Sequence, residues 1–342
     1  MYGLRRFIQS VGIIWGIVTL LFVIFYALGD PTAYIVGDQA DEATKAAIRK
    51  KYELDKPLYV QYGNYLNDLS PLGAVDSTYE SPYIPIFSYA FVLKWPNLGR
   101  SLQSRQPVGE LLRNRIVGTA ILALAALSFS ALIGIILGVF AALRHQTWVD
   151  RLILSSSVLG ISAPSFFIGV LVAWIFAVEW REFTGLNVTG YLWEPHIFDT
   201  GHHLVLKNLF LPALALGIRP LAVFIQLTRS SMIEVLGSDF IRTARAKGLS
   251  DFQVIFRHAL RNALNPVLTA VTGWLASLLA GAFFIEYIFN WKGIGKLMID
   301  SLNTNDFPVI LGCALTIGIF FVVINILTDV LYKVLDPRVK LE

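Results

Sequence analysis

Few side chains in this chain of 342 residues are placed to do chemistry, and each group that could lacks a partner it would need. His196, Asp199 and the adjacent pair His202 and His203 bring metal-ligating types into one short stretch. Adjacent histidines cannot share a helix face and no cysteine joins them, so they read as loop histidines rather than a zinc site. Gly293-Ile-Gly295-Lys296 has the flavour of a phosphate loop. The earlier glycine is missing, however, and Leu297 stands where a hydroxyl would hold magnesium. Two charged residues, Arg219 and Glu286, lie inside otherwise apolar stretches. A charge at membrane depth costs about 2.5–3.5 kcal/mol on insertion scales, so it is kept only where it faces water, a partner or an interface. Arg219 precedes Pro220, which removes a backbone hydrogen bond and predicts a kink. A polar, kinked position fits a pathway through the membrane, and it equally fits an arginine satisfied by freed carbonyls. Glu286 is the second pathway candidate, with snorkelling to the interface as the simpler reading.

The elements that must carry these residues are membrane spans. Hydrophobic residues make up 55% of the chain and charged ones 15%, against about 25% charged in a soluble globular domain; the mean hydropathy is +0.61. Six windows reach the length of about 20 apolar residues that a helix needs to cross a bilayer: 9–29, 117–143, 152–178, 208–228, 264–289 and 307–332. The first follows Arg5 and Arg6, but its apolar core exceeds the length of about 7–15 residues usual in a signal peptide, and no small-residue cleavage pattern follows. It reads as a retained span. With the N-terminus inside, the inner segments collect Arg5, Arg6, Arg144, Arg151, Arg229, Arg242, Arg245, Lys247, Arg257, Arg261, Lys333, Arg338 and Lys340, whereas the two short outer loops hold Arg181, Lys207, Lys292 and Lys296. That asymmetry places both termini in the cytosol.

The division that follows is a first span over 1–29, an outer loop subdomain over 30–115, a five-helix core over 116–332 and a tail over 333–342. Within the outer loop, Asp41–Leu54 has helix-forming composition. Tyr83–Trp95 is apolar and aromatic but too short to span, so it is either a packed strand or helix or a segment dipping into the outer leaflet. Gly134 and Gly138 form a G-x-x-x-G pair that lets another helix approach closely. Cys313, the single cysteine, sits inside the last window and reads as a small packing residue.

The most informative segment is Ser238–Pro266, a basic amphipathic stretch between two apolar windows. Ser238 is placed as an N-cap for a helix over Asp239–Lys247, with Asp239 in its first turn. Gly248 fits the left-handed position that ends a helix. Ser250 and Gln253 then form a capping box opening a second helix, and Pro266 is tolerated in the first turn of the next span. A membrane protein gains little from a rigid helix-glycine-helix unit at its surface unless something docks on it.

These residues resemble the coupling loop of importer-type ABC transporter permeases, E-A-A-x-x-x-G followed further on by I-x-L-P. Ala244, Gly248 and Leu260 occupy matching positions; Arg242, Thr243, His258 and Arg261 replace the glutamate, first alanine, isoleucine and proline. The departures are close to the oligopeptide/dipeptide/nickel branch. Thr228–Leu236 (TRSSMIEVL), Leu98–Leu102 (LGRSL), Arg105–Val108 (RQPV), Phe289–Gly295 (FNWKGIG) and Asp336–Arg338 (DPR) are also similar to that branch's signatures, in the same order. Lys292 stands where proline is usual, and residues 70–97 look like an enlarged outer loop.

The resemblance implies an all-α polytopic membrane protein of the type I ABC importer permease fold, with six transmembrane helices, in the bacterial cytoplasmic membrane. It implies a homologous second permease subunit, two ATPase subunits that bind the ATP and magnesium, and a periplasmic or lipoprotein solute-binding protein. This chain itself would have no catalytic site and no cofactor. Asp239, Arg242, Thr243, Ala244, Lys247, Gly248 and Leu260 would couple it to the ATPases, through a loop spanning 229–263. The implied cargo is a dipeptide or oligopeptide, with nickel or a metal chelate as the alternative. A self-sufficient secondary transporter would instead show inverted repeats and acids within the spans; no convincing repeat is present, and acidic residues within the spans are nearly absent.

Overall fold

The structure is a computed structural model, describing residues 2–27, 32, 40–51, 54–76, 84–86, 89–195 and 202–335. Its elements in chain order begin with α1 (Tyr2–Phe22), which continues into a π-helical turn, Val23–Ala27. Next come α2 (Glu42–Lys51), α3 (Leu58–Leu69), β1 (Leu72–Asp76), β2 (Ile84–Ile86) and β3 (Tyr89–Leu93). The long helix α4 (Val108–Leu143) precedes α5 (Trp148–Ser162), α6 (Ser165–Trp174), a short α7 (Arg181–Thr184), β4 (Trp193–Pro195) and β5 (His202–Leu204). The remainder is α8 (Lys207–Leu236), α9 (Asp239–Ala246), a π-helical stretch Gln253–Ala259, α10 (Leu260–Ala263), α11 (Asn265–Gly281), α12 (Phe283–Ile288), α13 (Ile294–Asn303) and α14 (Phe307–Leu335).

Among the described residues, four helical segments are long and apolar enough to cross a membrane: Ile8–Tyr26, Val108–Leu143, Lys207–Leu236 and Phe307–Val330. A fifth candidate is the pair α5 and Ser165–Glu179, which bends by 114°. Pro164 explains the bend: it drives the preceding Ala163 into extended backbone (φ −76°, ψ 138°), which helices cannot continue through. The window at 264–289 is not one long helix, because α11 ends at Gly281 and α12 begins at Phe283. By contrast, α8 runs through both Pro212 and Pro220 without interruption, so the expected kink at Pro220 does not break it. The body is helical, as expected, and two small antiparallel sheets are added in its connecting segments. There β1–β3–β2 form a three-stranded antiparallel sheet, and β4 pairs with β5. Tyr83–Trp95 accordingly holds two strands, β2 and β3, as one of its two readings expected.

Residues group into two compact units, Met1–Arg115 with Leu297–Val322, and Ile116–Lys296 with Val323–Glu342. In the first, α1 meets α3 through an aromatic cluster in which the Phe22 ring lies 5.0 Å from both Tyr26 and Tyr62. The Thr19 and Tyr62 hydroxyls are hydrogen-bonded at 2.6 Å. Burial pushes the neighbouring Tyr65 phenol well above its ordinary pKa. In the second unit, the G-x-x-x-G pair does what its spacing suggests. A Cβ on Gly134 would stand 2.7 Å from Phe224 Cβ, and one on Gly138 only 2.8 Å from the Ile225 carbonyl oxygen, so α4 and α8 touch nearly backbone to backbone. Leu122, Ala126, Val172, Leu211, Phe224 and Ile285 lie in the core that this contact closes.

Candidate functional site

The helix-glycine-helix segment is formed as its residues dictate, with one exception. Ser238 has the extended backbone of an N-cap (φ −77°, ψ 157°) and its carbonyl accepts from the Arg242 N–H. Its hydroxyl, however, donates back to the Val235 carbonyl at 2.5 Å instead of capping the helix. Gly248 is left-handed at φ +78°, a conformation that only glycine adopts freely. Its N–H donates to the Arg245 carbonyl at 2.9 Å, closing α9. The capping box is reciprocal: the Ser250 N–H donates to Gln253 Oε1 at 3.3 Å, and the Gln253 N–H to Ser250 Oγ at 3.5 Å. After Asp251 and Phe252 the second helix continues as π rather than α, over Gln253–Ala259.

This segment has two faces. Inward, Ile241, Ala244, Val254, Ala259 and Ala263 are buried against Val139, Ala142 and Met232. Outward stand Asp239, Arg242, Thr243, Arg245, Lys247 and Gly248, all exposed. Phe240, Phe252 and Phe256 are also exposed, at 46%, 69% and 49%, with the last two rings 4.7 Å apart. Arg242 pairs with Asp239 one helical turn away. The expected coupling set is therefore split. Asp239, Arg242, Thr243, Lys247 and Gly248 share the open surface, whereas Ala244 is buried within the chain and Leu260 packs, half-buried, on the same inner cluster. The three exposed phenylalanines were not singled out by sequence, although their places between basic residues are visible in it.

A buried ion pair fixes the platform beneath. Arg229, near the end of α8, donates from Nε to Asp150 Oδ1 at 2.5 Å and from Nη2 to Asp150 Oδ2 at 2.7 Å. Asp150 is 2% exposed, receives the Gln146 N–H at 2.9 Å, and has His145 Nδ1 at 3.5 Å. The bidentate fork ties the start of α5 to the end of α8, from which the helix-glycine-helix segment departs. The sequence marks Arg229 as an inner-side charge and as part of the Thr228–Leu236 signature, but nothing in it points to Asp150 as its partner.

The two pathway candidates behave oppositely. Arg219 is exposed on α8. Glu286 does not snorkel: it is fully buried. Its Oε1 accepts from the Thr119 hydroxyl at 2.6 Å and its Oε2 from the Lys296 N–H at 3.1 Å. Thr119 Oγ1 accepts in turn from the Ile294 N–H at 2.9 Å, and Trp291 Nε1 donates to the Gly118 carbonyl at 2.9 Å. A Cβ on Gly293 would fall 2.2 Å from the Glu286 carboxylate. The F-x-W-x-G-x-G stretch is thus a clasp joining α12 and the following turn to the start of α4, with Glu286 as its anchor. The glycine-lysine pattern there serves packing, the Lys296 N–H being given to Glu286.

A second clasp lies in the first unit. Buried Asp306 accepts from the Ser101 hydroxyl at 2.5 Å, the Leu102 N–H at 3.0 Å and the Gln103 N–H at 3.4 Å, holding the loop that carries the G-x-S and R-x-P-V stretches. Of the suspected metal group, His202 and His203 lie in β5, paired with Pro195 and Glu194 of β4; His196 and Asp199 lie outside the described residues. No group of three or more His, Cys, Asp or Glu side chains could hold a metal among the described residues.

A helical body with candidate membrane spans, carrying a braced segment with one buried and one exposed face, defines a membrane protein. The chain belongs to the binding-protein-dependent transport system inner membrane component family, matched over residues 134–341, and residues 1–123 match that family's N-terminal domain. It is 34% identical over 354 residues to the dipeptide transport system permease protein DppB of Alkalihalophilus pseudofirmus, covering 99% of each chain. It is 33% identical over 341 residues to the glutathione transport system permease protein GsiC of Salmonella typhimurium, covering 99% of this chain and 98% of that one. A solved structure of the MetNI methionine ABC transporter in inward-facing conformations shares the fold, with a TM-score of 0.50 at 15% identity over 67% of this chain and 97% of that one. The protein is therefore a multi-pass membrane permease subunit of a bacterial importer family, and ATP hydrolysis resides in a separate subunit.

Proposed function

We propose that this chain is one of two homologous membrane subunits of an ATP-driven peptide importer, with six membrane crossings, both termini in the cytosol and loop 30–115 outside. The cargo assignment rests on its relatives, which are permeases for dipeptides, peptides and glutathione. Two ATPase subunits would supply the work, and a solute-binding protein would deliver the peptide to the outer face.

The observation that carries the coupling role is the division of Ser238–Pro266 into a packed inner face and an open basic-aromatic outer face. A helix held by Ile241 and Ala244 moves with the body of the permease rather than swinging on its own. Arg242, Thr243, Lys247 and Gly248, with Phe240 and Phe252 beside them, would meet the ATPase. Asp239 orients Arg242, and Ala244 and Leu260 anchor the segment from within. Arg219 remains the pathway candidate, its exposed guanidinium available to a peptide carboxylate; Glu286 is a structural anchor.

Reconstitution of the full transporter in proteoliposomes tests this. Arg242→Ala with Lys247→Ala should leave the chain folded and inserted, with ATP hydrolysis no longer producing uptake. Ala244→Trp should instead lower the yield of folded protein, because a large ring cannot enter the packed inner cluster. Uptake at the unsubstituted rate in the surface variant, or ATP-independent uptake by the chain alone, would sink the proposal.

A further inference from the structure

The first unit encloses a cavity of about 630 Å³ that the transport reading leaves unused. Its size falls within the range of about 300–1,000 Å³ typical of small-molecule sites. One wall is apolar and belongs to candidate spans: Phe25 at the end of the first, and Phe307, Leu311 and Leu315 at the start of the last. The loop between β3 and α4 also lines the cavity, through Arg100 and Arg105 among others. Both arginines are exposed, and no carboxylate pairs with either among the described residues. Two described acidic groups have partners of their own. Asp68, which also lines the cavity, lies 4.0 Å from Lys94, and the Asp306 carboxylate is occupied by Ser101, Leu102 and Gln103.

This loop is also held rigidly. The Asp306 clasp fixes one end of the loop, the Arg100–Pro107 bridge closes the other, and the Arg105 N–H donates to the Ser101 carbonyl at 3.1 Å. Arg105 itself is held at φ +62°, in the left-handed region that a non-glycine residue visits at an energetic cost. A loop braced in this way keeps Arg100 and Arg105 on the lining of the cavity, and Arg100 Nη1 donates to the Arg105 carbonyl at 3.4 Å.

We propose that this cavity binds an anionic phospholipid, with its phosphodiester held by Arg100 and Arg105 and an acyl chain lying along Phe25, Phe307, Leu311 and Leu315. Guanidinium groups match phosphate oxygens bidentately and stay charged at every relevant pH. Basic pockets at the ends of membrane helices suit lipid headgroups for the same reason. The apolar wall decides between occupants: a soluble anion would use only the arginines, whereas a lipid uses the apolar wall as well, from a position where spans end. The site lies in the leaflet on the side of loop 30–115 and is independent of the cargo.

Native mass spectrometry of the full-length chain in a neutral detergent tests the proposal, with phosphatidylglycerol and phosphatidylcholine of identical acyl chains titrated in turn. The unsubstituted chain should take up phosphatidylglycerol at about tenfold lower concentration than phosphatidylcholine: both lipids carry the phosphodiester, but choline adds a quaternary ammonium that the two guanidiniums repel. Arg100→Gln with Arg105→Asn, asparagine tolerating the left-handed backbone, should erase that preference; Leu311→Trp should weaken both lipids alike. Equal binding of the two lipids by the unsubstituted chain overturns the proposal, and that comparison requires no variant to fold. Persistence of the preference in the folded arginine variant overturns it as well. Glycerol phosphate binding as tightly as the diacyl lipid would make the site one for a simple anion, and displacement of lipid by a dipeptide would make it a peptide site; either contradicts a lipid site.

Discussion

Replacing Arg229 by alanine removes both arms of the fork on Asp150 and strands a carboxylate that is 2% exposed. Breaking a buried charge pair from one side costs about 3–5 kcal/mol, most of it the penalty of leaving the other charge without a partner. Arg229 keeps some solvent contact, with 19% of its side chain exposed, and His145 and the Gln146 N–H still face Asp150. The loss should therefore fall at the lower end, about 3 kcal/mol. Asp150→Asn removes the charge but keeps an acceptor, and should cost about 1–3 kcal/mol, the range for a buried hydrogen-bonded group left partly unpaired. The double variant has no buried charge to strand, so its loss should be smaller than the sum of the single losses by at least about 1 kcal/mol. Reversible unfolding in mixed micelles, run as a double-mutant cycle, measures this directly. Additive losses would show that the two residues do not act as one unit, and the brace beneath the docking segment would have to be abandoned.

The remaining clasps make parallel predictions. Gly293→Ala should reduce the folded yield and destabilise by about 1–3 kcal/mol, the usual penalty of overpacking, because its Cβ meets a carboxylate already fixed by Thr119 and Lys296; thermal unfolding equal to that of the unsubstituted chain would refute the clasp. Asp306→Ala should free the Ser101 hydroxyl and the Leu102 and Gln103 N–H groups together. Hydrogen exchange at Leu102 and Gln103 should then rise sharply, and unchanged protection would contradict it.

Much of the docking segment was legible in sequence because its determinants are local. Ser250 and Gln253 are close enough in the chain to cap one another, and Gly248 announces a left-handed turn by its type alone. The inward turn of Ala244 was also encoded, since Ile241 and Ala244 lie on one helical face, but the family comparison drew it outward as a contact. Glu286 was misjudged for a different reason. Its partner Thr119 is 167 positions away in the chain, so nothing near Glu286 in sequence says that its charge is satisfied. Asp150 and Asp306 escaped notice likewise, each being an ordinary acidic residue until a distant loop or helix folds onto it. The break in the window at 264–289 has no proline to mark it, and hydropathy carries smoothly across Ala282.

The central claim, that the outer face of Ser238–Pro266 meets the ATPase, is tested most directly by cross-linking from Thr243. The chain's single cysteine, Cys313, is buried, so Thr243→Cys supplies one accessible thiol on an exposed position. In membranes holding the complete transporter, a short thiol-reactive cross-linker should join this position to an ATPase subunit, and the same reagent placed at Ala244→Cys should give little product. Equal labelling of Thr243→Cys by a soluble maleimide in the complex and in the isolated chain, with no ATPase cross-link, would contradict the account.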